Sequence, residues 1–195
     1  MAASAFPAAA DPALNRGQAA AAAPSTTGAD VTGRLARYMV DARDRSLPPD
    51  VLREAKHRIL DTLAAMVSGA GLKPGVMAIQ YVRGQGGVPE ASVLTTDIRT
   101  SAVNAALANG MFGHADETDD FEPVTKAHPG CAVVPAALAM AERENRSGTD
   151  LLRAVTLGYD LCCRFLLALG ADLVRATHRS AEGVSATFGS AAAAA

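Results

Sequence analysis

From Val31 onward the apolar positions recur with helical spacing; before it they form no period at all. The segment VTGRLARYMVDARDR puts Leu35, Tyr38 and Met39 on one face and reads as a first helix. Pro48 and Pro49 interrupt it. In DVLREAKHRILDTLAAMVSGAG, Leu52, Ala55, Ile59, Leu63 and Met66 follow the i, i+3, i+4, i+7 rule. Pro49 suits the first turn of that helix, and Gly69 or Gly71 suits its end. His57 falls off the apolar stripe and reads as a solvated helix histidine.

PGVMAIQYVRGQGG reads as a short helix closed by glycines, and EASVLTT as a brief strand. IRTSAVNAALANGMFGHA resumes helical spacing with small side chains that let helices approach closely. CAVVPAALAMAEREN and TDLLRAVTLGYDLCCRFLLALG are two further helices. Pro135 is expected near the start of the first of these, where a missing N–H costs least. Ser147, Thr149 and Asp150 offer caps for the second. The final TFGSAAAAA reads as the beginning of a helix with no closing cap, so the chain is expected to be part of a longer unit. These elements predict an all-α, bundle-like domain over residues 31–195. Residues 1–30, rich in Ala and Pro, lack the apolar surface to offset the cost of ordering and are expected to form a disordered tail.

Composition narrows the classes. The 195 residues are 49% apolar with no tryptophan, which suits close packing of Ala- and Leu-rich helices. A net charge of -2 and the lack of a basic patch argue against a nucleic-acid partner. No apolar run reaches the length of a membrane span; the longest, LCCRFLLALG, is broken by Arg164. Cys131, Cys162 and Cys163 form neither a CxxC nor a disulfide framework. They read as structural thiols in a reducing cytoplasm. GQGG at Gly84–Gly87 is a turn rather than a phosphate cradle.

The stretch HADETDDFEPVTKAHPG breaks the pattern: five acidic residues and two histidines between two helices. His114 falls near the end of one helix and His128 near the start of the next. A helix N-terminus favours anions, so a carboxylate substrate could dock beside His128. Glu117, Asp119 and Asp120 would then supply proton acceptors next to a carbonyl. Spacing alone leaves three readings open: a solvated loop, a His/Asp/Glu metal site, and an acid–base pair.

The same segment resembles the signature of the MmgE/PrpD family, which includes 2-methylcitrate dehydratase and cis-aconitate decarboxylase. Its members carry NG–x–x–x–His-Ala-Leu-Asp-aromatic-Asp-Asp-Thr, then His-Pro-Ser before a helix with Pro-Ala-Ala-Leu. This chain reads ANGMFGHADETDDF, then AHPGCAVVPAALAMAE. ILDTLAAMVSGAG, GGVPEASVL and TFGSAAAAA resemble other family segments. The resemblance implies the N-terminal portion of a large helical domain, with the family's smaller lid domain absent.

It also implies a lyase, a dehydratase or decarboxylase, that works without metal or cofactor on a di- or tricarboxylate and pairs as a homodimer. The family's active-site histidine falls on His128 and its first loop aspartate on Glu117. The aspartate pair falls on Asp119 and Asp120, and a family threonine falls on Phe121. These positions make His128, Glu117, Asp119 and Asp120 the expected catalytic set. His114, Lys126 and His178 are the expected substrate-binding set. His178 stands further upstream of Phe188 than the family's second histidine, with Ser180 and Glu182 near the same place. The alternative to an enzyme is a truncated, inactive helical module serving interaction or oligomerisation.

Overall fold

The computed structural model describes residues 30–195. The expected tail, apart from Asp30, lies outside the described residues. Eight helices and one two-stranded hairpin follow in order: α1 Val31–Arg43, α2 Pro49–Gly69, α3 Lys73–Gln85, β1 Ala91–Ser92, β2 Arg99–Thr100, α4 Ala102–Gly113, α5 Gly130–Arg143, α6 Gly148–Leu169, α7 Ala171–Ala176 and α8 Ala181–Ala194. The domain is all-α, as the periodicity predicts. No single helix among the described residues is long and apolar enough to cross a membrane.

The core forms where the predicted stripes meet. Met66 of α2, Phe112 of α4, Val133 and Val134 of α5 and Val155 of α6 are all essentially inaccessible to solvent. Ile59 and Leu63 pack against them from the partly buried edge of α2. Burying side chains of this size contributes about 1.5–3 kcal/mol each. α2 starts at Pro49 and carries His57 exposed on its outer side, 3.8 Å from Glu54. α1 is fixed at its N-terminus by Asp30, whose carboxylate accepts the Gly33 N–H at 2.7 Å. Its Tyr38 donates to Asp160 of α6 at 2.6 Å. α6 opens on a capping box in which Ser147 and Asp150 satisfy each other's backbone N–H.

Glycines let α6 and α8 touch backbone to backbone. A Cβ at Gly189 would lie 2.8 Å from the Gly158 carbonyl oxygen, and one at Gly158 would lie 2.5 Å from the Val133 side chain. Helices built on Ala and Gly lose little side-chain entropy on such packing, which explains a core poor in aromatics.

Three placements and one whole helix differ from expectation. The helix expected from Ile98 begins at Ala102, because Arg99 and Thr100 pair antiparallel with Ser92 and Ala91. Arg99 also donates to the Glu90 carbonyl at 3.0 Å, and Ser101 then caps α4. The hairpin is held from α4 by Asn109, which accepts the Leu94 N–H and donates to the Ser92 carbonyl, both at 2.9 Å. Pro135 stands inside α5 rather than in its first turn, since the helix already begins at Gly130. Its ring frees the Cys131 carbonyl, which Gly110 of α4 approaches closely. α7 was not expected, and α8 starts six residues before TFGS, capped by Ser180 accepting from Gly183.

Candidate active site

The acidic loop spans the gap between α4 and α5. His114 is the C-cap residue of α4 and Pro129 the N-cap residue of α5. Each end of the loop is tied down by its own hydrogen bonds. Asp116 accepts from Ser68 of α2 at 2.9 Å and from Thr118 at 2.7 Å. These two bonds hold the Asp116 carboxyl below the usual carboxylate range. Further along, the chain turns around Glu122, whose carboxylate accepts from the Thr125 hydroxyl and N–H, both at 2.6 Å, and from the Val124 N–H. Burial works against that charge, but the hydrogen bonds outweigh it and Glu122 is held low. Its N–H donates to the Ala127 carbonyl at 2.9 Å, closing the turn one residue before His128.

The two consecutive aspartates face different partners. The Asp119 side chain is fully buried between two imidazoles: Oδ1 lies 3.0 Å from His114 Nδ1 and Oδ2 lies 3.4 Å from His128 Nδ1. The two rings stand edge to face with centroids 5.3 Å apart. Phe121, half-exposed, packs against His128 with ring centroids 5.4 Å apart. Asp120 turns the other way and accepts the Gly130 N–H at 2.9 Å. Arg58 lies 3.9 Å from its second oxygen, and the Tyr159 hydroxyl approaches the carboxylate without reaching full hydrogen-bond geometry.

Burial pushes the Asp120 carboxyl up, although Tyr159, the Gly130 N–H and Arg58 all pull it down. Burial and the Asp120 charge in turn push the Tyr159 phenol far up. Arg58, Asp120, Phe121 and Tyr159 also line a cavity of about 370 Å³ with Val51 and Ala55.

Of the residues singled out in the sequence, His114, Asp119 and His128 are brought together. One candidate ligand atom from each lies within 4.8 Å of the other two. Asp120 supports the start of α5 instead of facing the imidazoles. Glu117 is exposed, with a left-handed φ of 54°, and Lys126 is exposed with φ 61°. His178 is exposed in the turn between α7 and α8, at φ 58°. No hydrogen bond or ion pair joins any of these three side chains to Asp119 or the two imidazoles. Cys131 donates to the His128 carbonyl at 3.3 Å, and its thiol is pushed up by burial first and by the Asp119 charge second.

The floor beneath the loop, Thr62, Arg58 and Tyr159, was not anticipated. Thr62 carries the one clear signal: it is a hydroxyl on the buried side of α2, with apolar Ile59, Ala65 and Met66 about one turn away. Such a group needs a partner, and it donates to the Arg58 carbonyl at 2.8 Å.

Residues 33–195 match the MmgE/PrpD N-terminal domain. The chain belongs to the MmgE/PrpD family. It is similar to the cis-aconitate decarboxylase-like protein oryM of Aspergillus oryzae, with 31% identity over 179 residues, covering 88% of this chain and 36% of that protein. It is also similar to the cis-aconitate decarboxylase of Aspergillus terreus, with 27% identity over 158 residues, covering 78% of this chain and 32% of that protein. The chain therefore spans about a third of the length of these curated relatives.

Proposed function

We propose that this MmgE/PrpD domain carries part of the active site of a lyase, a decarboxylase or dehydratase acting on a di- or tricarboxylate of the cis-aconitate or 2-methylcitrate type. The observation that carries the reading is the buried Asp119 carboxylate set against the Nδ1 atoms of His114 and His128. A carboxylate at Nδ1 favours the tautomer with its proton there and leaves His128 Nε2 as the proton acceptor or donor. Asp119 is then the positioning partner of the imidazole, and the Phe121 ring packed against it limits its swing.

Glu117, exposed on the same loop, is the second carboxylate available to a substrate. A general acid–base step of this kind needs no metal or cofactor. The proposed setting is the cytoplasm, which suits three free cysteines. The names of the relatives support the reaction class.

The test is turnover of cis-aconitate, citrate and 2-methylcitrate by the 195-residue chain and by the longest in-frame product that contains it. His128→Ala is expected to lower turnover by about a hundredfold, the scale for losing a general acid or base. His57→Ala is expected to leave it unchanged. Full activity in His128→Ala would refute the proposal.

Homodimer formation is proposed on the apolar side chains left exposed on α2 and α4, among them Leu60, Val67, Val103 and Leu107. Sedimentation that gives a compact monomer at high concentration would refute it.

A further inference from the structure

Three buried side-chain atoms among the described residues lack a hydrogen-bond partner: the Tyr159 hydroxyl, Asp119 Oδ2 and His128 Nδ1. The last two face each other at 3.4 Å. That separation is long for a charge-assisted hydrogen bond, and leaving both atoms unsatisfied in the interior is costly. It is, however, the right size for an edge of a metal coordination shell. Bonds of about 2.0–2.2 Å from a zinc-class ion to nitrogen and carboxylate oxygen give tetrahedral edges of about 3.3–3.6 Å. His114 Nδ1 lies 3.0 Å from the other Asp119 oxygen, Oδ1, an ordinary hydrogen-bond distance that must open slightly when both imidazoles bind one ion. One ligand atom from each of His114, Asp119 and His128 lies within 4.8 Å of the other two, so small side-chain adjustments bring all three onto one ion.

We propose that His114, Asp119 and His128 form a binding site for a divalent cation of the zinc class, and that this cation switches the acid–base site off. Two imidazoles and one carboxylate select a borderline transition ion over magnesium or calcium, which prefer all-oxygen shells. The fully buried Asp119 side chain supplies the charge, and the His114 side chain, 46% exposed, gives the ion a path from solvent. Asp116, Glu117 and Asp120 on the same loop raise the local attraction for cations.

The regulatory half rests on the acid–base reading above. An ion on His128 Nδ1 takes the lone pair of that nitrogen, so the single proton of the neutral ring shifts from Nδ1 to Nε2 and Asp119 stays ionised as a ligand. The group that would exchange a proton with substrate then has no lone pair to offer.

The deciding experiment is a Co2+ titration of the purified 195-residue chain followed by visible absorption, with Zn2+ and Mg2+ as competitors. One equivalent of Co2+ is expected to give a saturable four- or five-coordinate spectrum that Zn2+ displaces and Mg2+ does not. His114→Gln and Asp119→Asn should each weaken binding at least tenfold, whereas His57→Ala and His178→Ala should leave it unchanged. Circular dichroism checks folding of each variant. His114→Gln, at a half-exposed side chain, decides the matter if Asp119→Asn does not fold.

The absence of a saturable spectrum overturns the site, as does a spectrum insensitive to His114→Gln or lost with His57 or His178. In protein that turns over substrate, Zn2+ should inhibit over the same concentration range in which it displaces Co2+, and EDTA should restore activity. Full turnover at saturating Zn2+ overturns the regulatory half. Co2+ binding requires no activity, so a retained Co2+ site with full turnover in His128→Ala would sink the acid–base reading while leaving the metal site standing.

Discussion

Gly130→Ala is the substitution that asks most of this architecture, because Gly130 joins the loop to the helix behind His128. Its N–H is held by Asp120 Oδ1 at 2.9 Å. A Cβ at this position would overlap the Thr62 hydroxyl, lie 2.5 Å from Asp120 Oδ1 and lie 2.9 Å from the Tyr159 hydroxyl. The first two of these are not free to swing away. Thr62 is completely buried and donates back to its own helix, and Asp120 is anchored by the N–H in question.

Overpacking of this kind costs about 1–3 kcal/mol. Lengthening a hydrogen bond to a charged acceptor adds about 1 kcal/mol. The sum, about 2–4 kcal/mol, corresponds to a fall in Tm of roughly 4–16 °C for a domain of this size. Gly84→Ala is the control: nothing lies within 4 Å of a Cβ there, and the residue is inside α3. Replacing a helical glycine by alanine in open space stabilises by about 0.4–1 kcal/mol. Thermal unfolding followed by circular dichroism, with urea unfolding to check that the m-value is unchanged, measures both. A Gly130→Ala protein as stable as wild type would refute the idea that α5 is seated on Thr62, Asp120 and Tyr159.

Asn109→Ala should lower stability by about 2–3 kcal/mol in urea unfolding, since it strips partners from both the Leu94 N–H and the Ser92 carbonyl. An unchanged midpoint would mean the hairpin does not depend on α4. The Cys131 thiol, pushed up by burial and by Asp119, should stay protonated near pH 8 and react with a thiol reagent much more slowly than free cysteine. Rapid, selective labelling of Cys131 in mass spectrometry would contradict that environment.

The helices that bury a stripe were legible because apolar periodicity and packing ask for the same residues. α2 is the clearest case: Ala55 and Met66 of the predicted stripe are buried, with Ile59 and Leu63 at its edge. The second strand was not legible. Arg99 and Thr100 carry no alternating apolar signal, and their pairing is fixed by tertiary bonds to Glu90, Ser92 and, through the hairpin, Asn109. α7 has six residues and no buried side chain, so it leaves no stripe to read.

At the site, the two histidines at the ends of the loop were visible as an anomaly of composition, and the family resemblance weighted His128. Spacing could not reveal that Asp119 and Asp120 serve different walls. Neighbours in sequence carry the same chemistry on paper, and only the placement of α2 and α6 beneath the loop separates them.

That separation explains how two adjacent carboxylates can both be buried. Placed side by side without distinct partners, they would repel each other in a poorly screened interior. Asp119 is instead matched by two imidazoles, and Asp120 by a backbone N–H, a guanidinium and a phenol. The consequence falls on His128. Its ring is aimed by Asp119 and bounded by Phe121, while its backbone lies between the Glu122 turn and the Gly130 N–H that Asp120 grips. One aspartate sets the direction of the imidazole and the next sets the position of the chain that carries it. A loop that only needed solvation would gain nothing from burying either. The cost of desolvating both is the physical argument that supports the proposed catalytic role of this loop.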